Sequence, residues 1–286
     1  MSASRRLALL VEYDGTAFAG SQAQPASRRT VQQTLEAAIE AFTGETQRVR
    51  FAGRTDAGVH ALGQVVTLDT RTPHSPARFR RALNHFLPPD VAVRSACEAP
   101  SDFEPRRHAT SRRYRYVIED GRPRSPLTRH AAWQRDDLLD AQSMAEAASL
   151  LPRTQRDWSA FAGRLPAGRS TLRTLLRCEV RRCSPHRIEV WMEADAFLPH
   201  QVRRTVGALE RVGSGRLTPA AFARLVEAPP ASAGPAAPPQ GLTLIAVRYP
   251  SGLLDWDALD TETVDWDDNE DVPPQRESDG ATMARD

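Results

Sequence analysis

The sequence predicts an α/β fold of the α+β kind: two ferredoxin-like, RRM-like halves whose antiparallel sheets flank a central basic cleft. Three observations predict it. Apolar runs with strand character alternate with helical stripes from residue 7 to residue 247. The first six elements come in the order β-α-β-β-α-β, and the second half repeats a pattern of the same type without visible sequence repetition. Positive charge gathers in the body: residues 1–250 carry +12 and residues 251–286 carry −10, which together give the net +2.

Each element has its own signal. Residues 7–13 are a buried strand closed by the Asp14-Gly15 turn. Thr30 can cap a helix to about residue 42, with Gly44 just past its end and Val31, Leu35, Ala38, Ile39 and Phe42 at helical spacing. Strands over 48–52 and 64–68 flank the loop Gly53-Arg54-Thr55-Asp56-Ala57-Gly58. Ser75-Pro76 starts a second helix with the stripe Phe79, Leu83, Phe86 and Leu87, stopped by Pro88-Pro89. Residues 91–99 form the last strand of this half. The second half reads as a strand over 112–118, a helix over 138–151, a strand pair at 172–182 and 188–194, a helix over 197–212, a short helix from Thr218-Pro219 through Val226, and a strand over 242–247. The domains expected are therefore 1–103, carrying the loop at Asp56, and 104–250. Residues 251–286 read as an acidic, disordered tail in which Trp256 and Trp266 are the exceptions.

Composition narrows the function classes. At 286 residues and 40% hydrophobic content the chain can bury a real core. It has no apolar run of membrane-span length and no leader with a long apolar region, so a cytoplasmic protein is expected. Cys97, Cys178 and Cys183 form an odd set without Cys-x-x-Cys spacing, which argues against a disulfide framework and against a zinc site. The seven histidines are scattered, and neither a Walker-type phosphate loop nor Gly-x-Gly-x-x-Gly occurs. No cofactor and no metal is expected. A basic body is the electrostatic footprint of a protein that meets a polyanion. Every basic residue other than histidine is Arg, a set that also reflects a GC-rich genome, so the position of the arginines carries the information.

Four groups of residues can carry chemistry. Arg54 and Asp56 sit on a tight loop between two glycines, a carboxylate with its own charge partner. Arg112-Arg113-Tyr114-Arg115-Tyr116 is a basic strand with interleaved tyrosines, the pattern of a base-stacking platform. Arg203, in His200-Gln201-Val202-Arg203-Arg204, lies beside the buried stripe Val202, Val206 and Leu209 and needs a partner, for which Asp56 is available. Asp102-Phe103-Glu104-Pro105-Arg106 joins the halves. Taken alone, Thr55-Asp56-Ala57-Gly58 also fits an ordinary turn with an exposed ion pair.

Gly53-Arg54-Thr55-Asp56-Ala57-Gly58-Val59-His60 resembles the catalytic motif of the TruA-type tRNA pseudouridine synthases. The resemblance extends over about residues 6–250 through Leu10-Val11-Glu12-Tyr13-Asp14-Gly15, Val31-Gln32, Asn84-His85-Phe86-Leu87-Pro88, Arg112 through Tyr116, Phe197 through Gly207, and Gly241-Leu242, all in the family's order. It implies isomerisation of uridine to pseudouridine at positions 38–40 of the tRNA anticodon stem-loop, by a homodimer that grips tRNA across both subunits. It implies that Asp56 is the catalytic nucleophile, attacking ribose or base, or else a base at C2′. Tyr114 would contact the target base and shuttle the C5 proton, and Arg203 would pair with Asp56. Arg54 would fill the space left by the flipped-out nucleotide. His60, Arg106, Arg112 and Arg113 join Arg54 and Tyr114 as substrate-binding candidates.

The chain departs from the family's common pattern at Gly20-Ser21-Gln22, where Gly-Trp-Gln is usual, and at Asp195-Ala196-Phe197, where Asn commonly precedes the Phe. Both departures bear on local packing and RNA contacts. A catalytically silent RNA-binding protein on the same scaffold is the alternative. The intact set of Arg54, Asp56, Tyr114 and Arg203 speaks against it. A carboxylate-dependent glycosidase lacks a second acid placed beside Asp56.

Overall fold

A computed structural model describes residues 4–24, 28–166 and 168–256. The first half runs β1 (Arg5–Tyr13), α1 (Val31–Thr43), β2 (Arg50–Phe51), β3 (His60–Thr70), α2 (Pro76–Phe86) and β4 (Val91–Ala99). The Thr30 side chain caps α1 by accepting from Gln33 N–H, and Gly44 ends it at φ 70°. Ser75 caps α2, with Pro76 as its first residue. The second half runs β5 (Ser111–Glu119), β6 (Trp133–Gln134), α3 (Ala141–Ser149), β7 (Gln155–Asp157), β8 (Leu172–Ser184), β9 (Arg187–Ala194), α4 (Gln201–Gly213), α5 (Pro219–Arg224) and β10 (Leu242–Arg248).

Strand pairing explains why the two halves look alike. The first half is ordered β4-β1-β3-β2 and the second β10-β5-β9-β8, antiparallel throughout. Numbered within each half, both orders read 4-1-3-2, the ferredoxin-like arrangement. The halves share a single sheet. β3 gives its middle to β2 at Val66 and Thr67 and its start to β10 at His60 and Ala61. The β10 pairing is parallel and welds the halves together. Gly63 permits it, because a Cβ there would lie 2.3 Å from Ile245 O.

The main core takes alternate strand residues such as Leu7, Leu9 and Val11, together with Leu35 and Ile39 of α1 and Phe79 and Leu83 of α2. Phe86, expected in that stripe, is exposed at the end of α2. Ala8, Val65 and Cys97 point the other way and form a second cluster with Phe103. Tyr249, Leu253, Leu254 and Trp256 pack against this cluster. The acidic tail expected from residue 251 therefore begins as docked chain, because its first apolar residues cover an otherwise open face of the sheet. The rest of that segment, with Trp266, lies outside the described residues.

Candidate active site

The loop carrying Asp56 lies between β2 and β3, next to the point where β10 joins the halves. Buried side chains fix its backbone. The Gln64 amide acts as a strand partner for Gly53, accepting from its N–H (3.3 Å) and donating to its carbonyl (2.9 Å). The Tyr13 hydroxyl meets Thr55 Oγ1 at 2.8 Å. The Ser21 hydroxyl accepts from Thr55 N–H at 2.9 Å, and Ser21 N–H donates to Thr55 O at 3.1 Å. Val59 N–H closes the turn on Asp56 O. Gly58 sits at φ 76°, a conformation that an L side chain rarely adopts.

Asp56 meets the second half through α4. Arg203 Nη1 donates to Asp56 Oδ2 at 2.9 Å, across 147 residues of sequence. Arg203 is anchored at both ends: its Nε donates to Ala237 O (2.7 Å), and its own carbonyl accepts from Ala237 N–H (2.9 Å). Gly207 lets this segment lie close to α4, since a Cβ there would stand 2.5 Å from Pro235 O. His200 precedes α4 at φ 61°, unusual for a side chain of its size, and places Nε2 3.6 Å from the same Asp56 Oδ2. Oδ1 accepts no hydrogen bond from any described residue. One oxygen of the carboxylate is thus held and the other is open.

Tyr114, on β5, completes the group. Its ring is buried and packs edge-on against Phe197 at 5.3 Å. Its hydroxyl faces Gly53, 3.9 Å from where a Cβ would be, and bonds to no described residue. Burial first, then Tyr13 and the Asp56 carboxylate, push the phenol far above its ordinary pKa, against the opposing charge of Arg112. Tyr114 therefore stays an O–H donor at neutral pH.

A family model described as tRNA pseudouridine synthase matches residues 9–106 and 155–250. The chain belongs to this family. Its relatives are close over nearly all of the body. A tRNA pseudouridine synthase A of Chloroflexus aurantiacus is 45% identical over 260 residues, 88% of this chain and 91% of the relative. One of Geobacter sulfurreducens is 42% identical over 86% of this chain and all of the relative. One of Methylobacterium nodulans is 46% identical over 87% and 98%. Pseudouridine synthases are isomerases, and this chain is one of them.

Around the synthase's carboxylate, the substrate-binding candidates divide into two kinds. Arg54 and Arg106 are exposed, and they join Arg169 and Arg173 in a cationic cluster drawn from the Asp56 loop, the β4–β5 connection, the approach to β8 and the start of β8. Partial burial, then the charges of Arg54, Arg169 and Arg173, lower the pKa of Arg106. Such a cluster suits phosphate. His60, Arg112 and Arg113 are each held by contacts within the fold. His60 Nδ1 accepts from Gly15 N–H (3.1 Å) and its Nε2 meets Gln240 O (3.1 Å), which ties the first turn to the entry of β10. Arg112 is buried and donates to the carbonyls of Ala52, Arg106, Ala109 and Asp195, because it fills the junction of β2, β5 and β9. Arg113 is buried on the other face of β5 against Glu193 (3.0 Å). The stacking platform expected on β5 reduces to Tyr114, since Tyr116 is fully buried with its hydroxyl on Pro238 O. The group at 102–106 divides in the same way: Phe103 is core and Glu104 pairs with Arg50.

Sequence reasoning left Ser21, Tyr13, Gln64 and His200 out of the site. Tyr13 and Gln64 read as ordinary strand positions. His200 carried one signal, its place three residues before Arg203 at a helix entrance.

Proposed function

We propose that this synthase converts uridine to pseudouridine at positions 38–40 in the anticodon stem-loop of tRNA, with Asp56 as its nucleophilic carboxylate and the target base turned out of the RNA stack. The contact between Asp56 and Arg203, with the Tyr114 hydroxyl facing Gly53 of the same loop, carries this reading. The reaction breaks the ribose C1′–uracil N1 bond, turns the base and forms C1′–C5. It gives up the C5 proton and leaves a proton on N1. Asp56 presents the open Oδ1 to the target nucleotide while Arg203 holds Oδ2. Tyr114, fixed as a neutral phenol, contacts the base and relays the C5 proton to water, its own proton leaving to water as it accepts that of C5, while N1 takes its proton from water. Arg54 occupies the space vacated by the base, and the cost of extrusion, a few kcal/mol, is met by arginine–phosphate contacts around Arg106. The enzyme works as a cytoplasmic homodimer.

The test is label release from tRNA tritiated at C5 of uridine. Release from anticodon-stem positions is expected with the native protein and none with Asp56→Ala. No release by the native protein from any anticodon-stem uridine overturns the reading.

A further inference from the structure

We infer that Ser21 is a positioning residue for Asp56: its hydroxyl fixes the Thr55 peptide and so sets where the Asp56 carboxylate stands. The inference rests on the reading of Asp56 given above and goes beyond it to a residue in a different segment.

Ser21 is 1% exposed and holds Thr55 by both of its donor and acceptor groups. Thr55 N–H donates to Ser21 Oγ at 2.9 Å, and Ser21 N–H donates to Thr55 O at 3.1 Å. The side chain thus supplies the acceptor that a paired strand would otherwise offer. Thr55 is itself buried, so no bulk water can replace that acceptor. Ser21 is fixed in turn, because its carbonyl accepts from Gln32 N–H in the first turn of α1, and Gln32 Oε1 accepts from Ala23 N–H. Gly20 makes the approach possible: at φ 107° its Cβ would lie 3.0 Å from Thr55 O. One continuous path therefore runs from the start of α1 through Ser21 to the residue before Asp56. Tyr13 meets the Thr55 side chain, and Gln64 holds Gly53. None of these residues touches the Asp56 carboxylate. They act through the backbone of the loop.

The geometry makes the effect kinetic. Oδ2 meets Arg203, which is anchored on Ala237 in the other half, so a shift of the Thr55 peptide would swing Oδ1 away from the reacting atom. A misplacement of about 1 Å can cost on the order of 100-fold in rate. Arg106, Arg169 and Arg173, the cluster arginines other than Arg54, lie outside this path, so binding of tRNA is expected to change little.

Full-length Ser21→Ala, Asp56→Ala and Thr70→Val are compared by single-turnover tritium release, tRNA affinity and thermal melting. Thr70 is a buried, hydrogen-bonded residue at the far end of β3 and serves as the stability control. Ser21→Ala is expected to lower the rate about 10- to 100-fold with tRNA affinity within twofold. Thr70→Val is expected to lose melting temperature and keep its rate. Hydrogen exchange at the Thr55 amide should accelerate in Ser21→Ala alone. A Ser21→Ala rate within twofold of native, beside an inactive Asp56→Ala, overturns the role of Ser21 and leaves that of Asp56 standing. An active Asp56→Ala overturns the reading of the site itself. Should Ser21→Ala fail to fold, Ser21→Cys keeps the volume with a weaker acceptor. A rate below native at unchanged affinity then supports the inference, and a native rate overturns it.

Discussion

Removal of the Arg203 guanidinium is the perturbation whose size the geometry allows to be worked out. Arg203 Nη1 stands 2.9 Å from Asp56 Oδ2, which puts the charge centres about 4 Å apart. At an effective dielectric of about 20 that separation is worth about 4 kcal/mol. The Asp56 side chain is 33% exposed, so water screens part of the interaction and about 2 kcal/mol is a fair share to assign to the pair. At about 1.4 kcal/mol per tenfold in rate, Arg203→Ala should slow single-turnover tritium release about 30-fold. The variant also leaves Ala237 O without its 2.7 Å donor, a loss of about 1 kcal/mol of stability that melting should report separately. Arg203→Lys keeps the charge but cannot reach Asp56 and Ala237 O together, so a loss of about 3- to 10-fold is expected. Arg203→Ala turning over within threefold of the native rate, with its fold intact, refutes the pairing as a catalytic device.

Tyr114→Phe should bind tRNA within about twofold of native and lose about 100-fold or more in label release, because the proposed proton transfer runs through the hydroxyl that it removes. Since burial keeps the native phenol protonated, its ionisation should remove no activity up to about pH 10 in a pH–rate profile. Arg106→Ala should weaken tRNA binding and reduce the slope of log affinity against log salt by about one, as measured by titration at several salt concentrations. Asp120→Asn should lower stability by about 2–3 kcal/mol with activity retained. The Asp120 side chain is buried and burial raises its pKa, but the two contacts from Arg182 (2.9 and 2.7 Å) and Leu139 N–H outweigh this and hold it below the usual range. A depressed folded pKa stabilises above the unfolded value near 4 and loses that contribution as pH falls through the folded value. The gap in melting temperature between native and Asp120→Asn should therefore narrow below about pH 4.

The order of elements was legible because each long segment keeps one period. The strand expected over 91–99 is Val91–Ala99, and the capped helix after Thr30 is Val31–Thr43. β3 runs four residues further back than its apolar pattern suggests, since His60 and Ala61 are ordered by β10, some 180 positions away. β6 and β7 are too short to show a period. The pairing of Asp56 with Arg203 could be read because an arginine flanking a buried stripe needs a partner and the resemblance named one. The burial of Arg112 and Arg113 was not legible, because a basic strand looks like a surface until its partners, four carbonyls and Glu193, are brought in by the fold. Gln64 gave no signal, and Ser21 stood out only as a departure from the family's common Gly-Trp-Gln, as polar side chains that mimic a strand partner do so through tertiary placement alone.

The claim that Asp56, held by Arg203, does the chemistry is tested most directly by Asp56→Asn, which preserves shape and removes the charge. Single-turnover release from C5-tritiated anticodon-stem tRNA is measured beside binding of the same RNA. The expected result is binding within about twofold of native and no release above background. Release at the native rate would contradict the account.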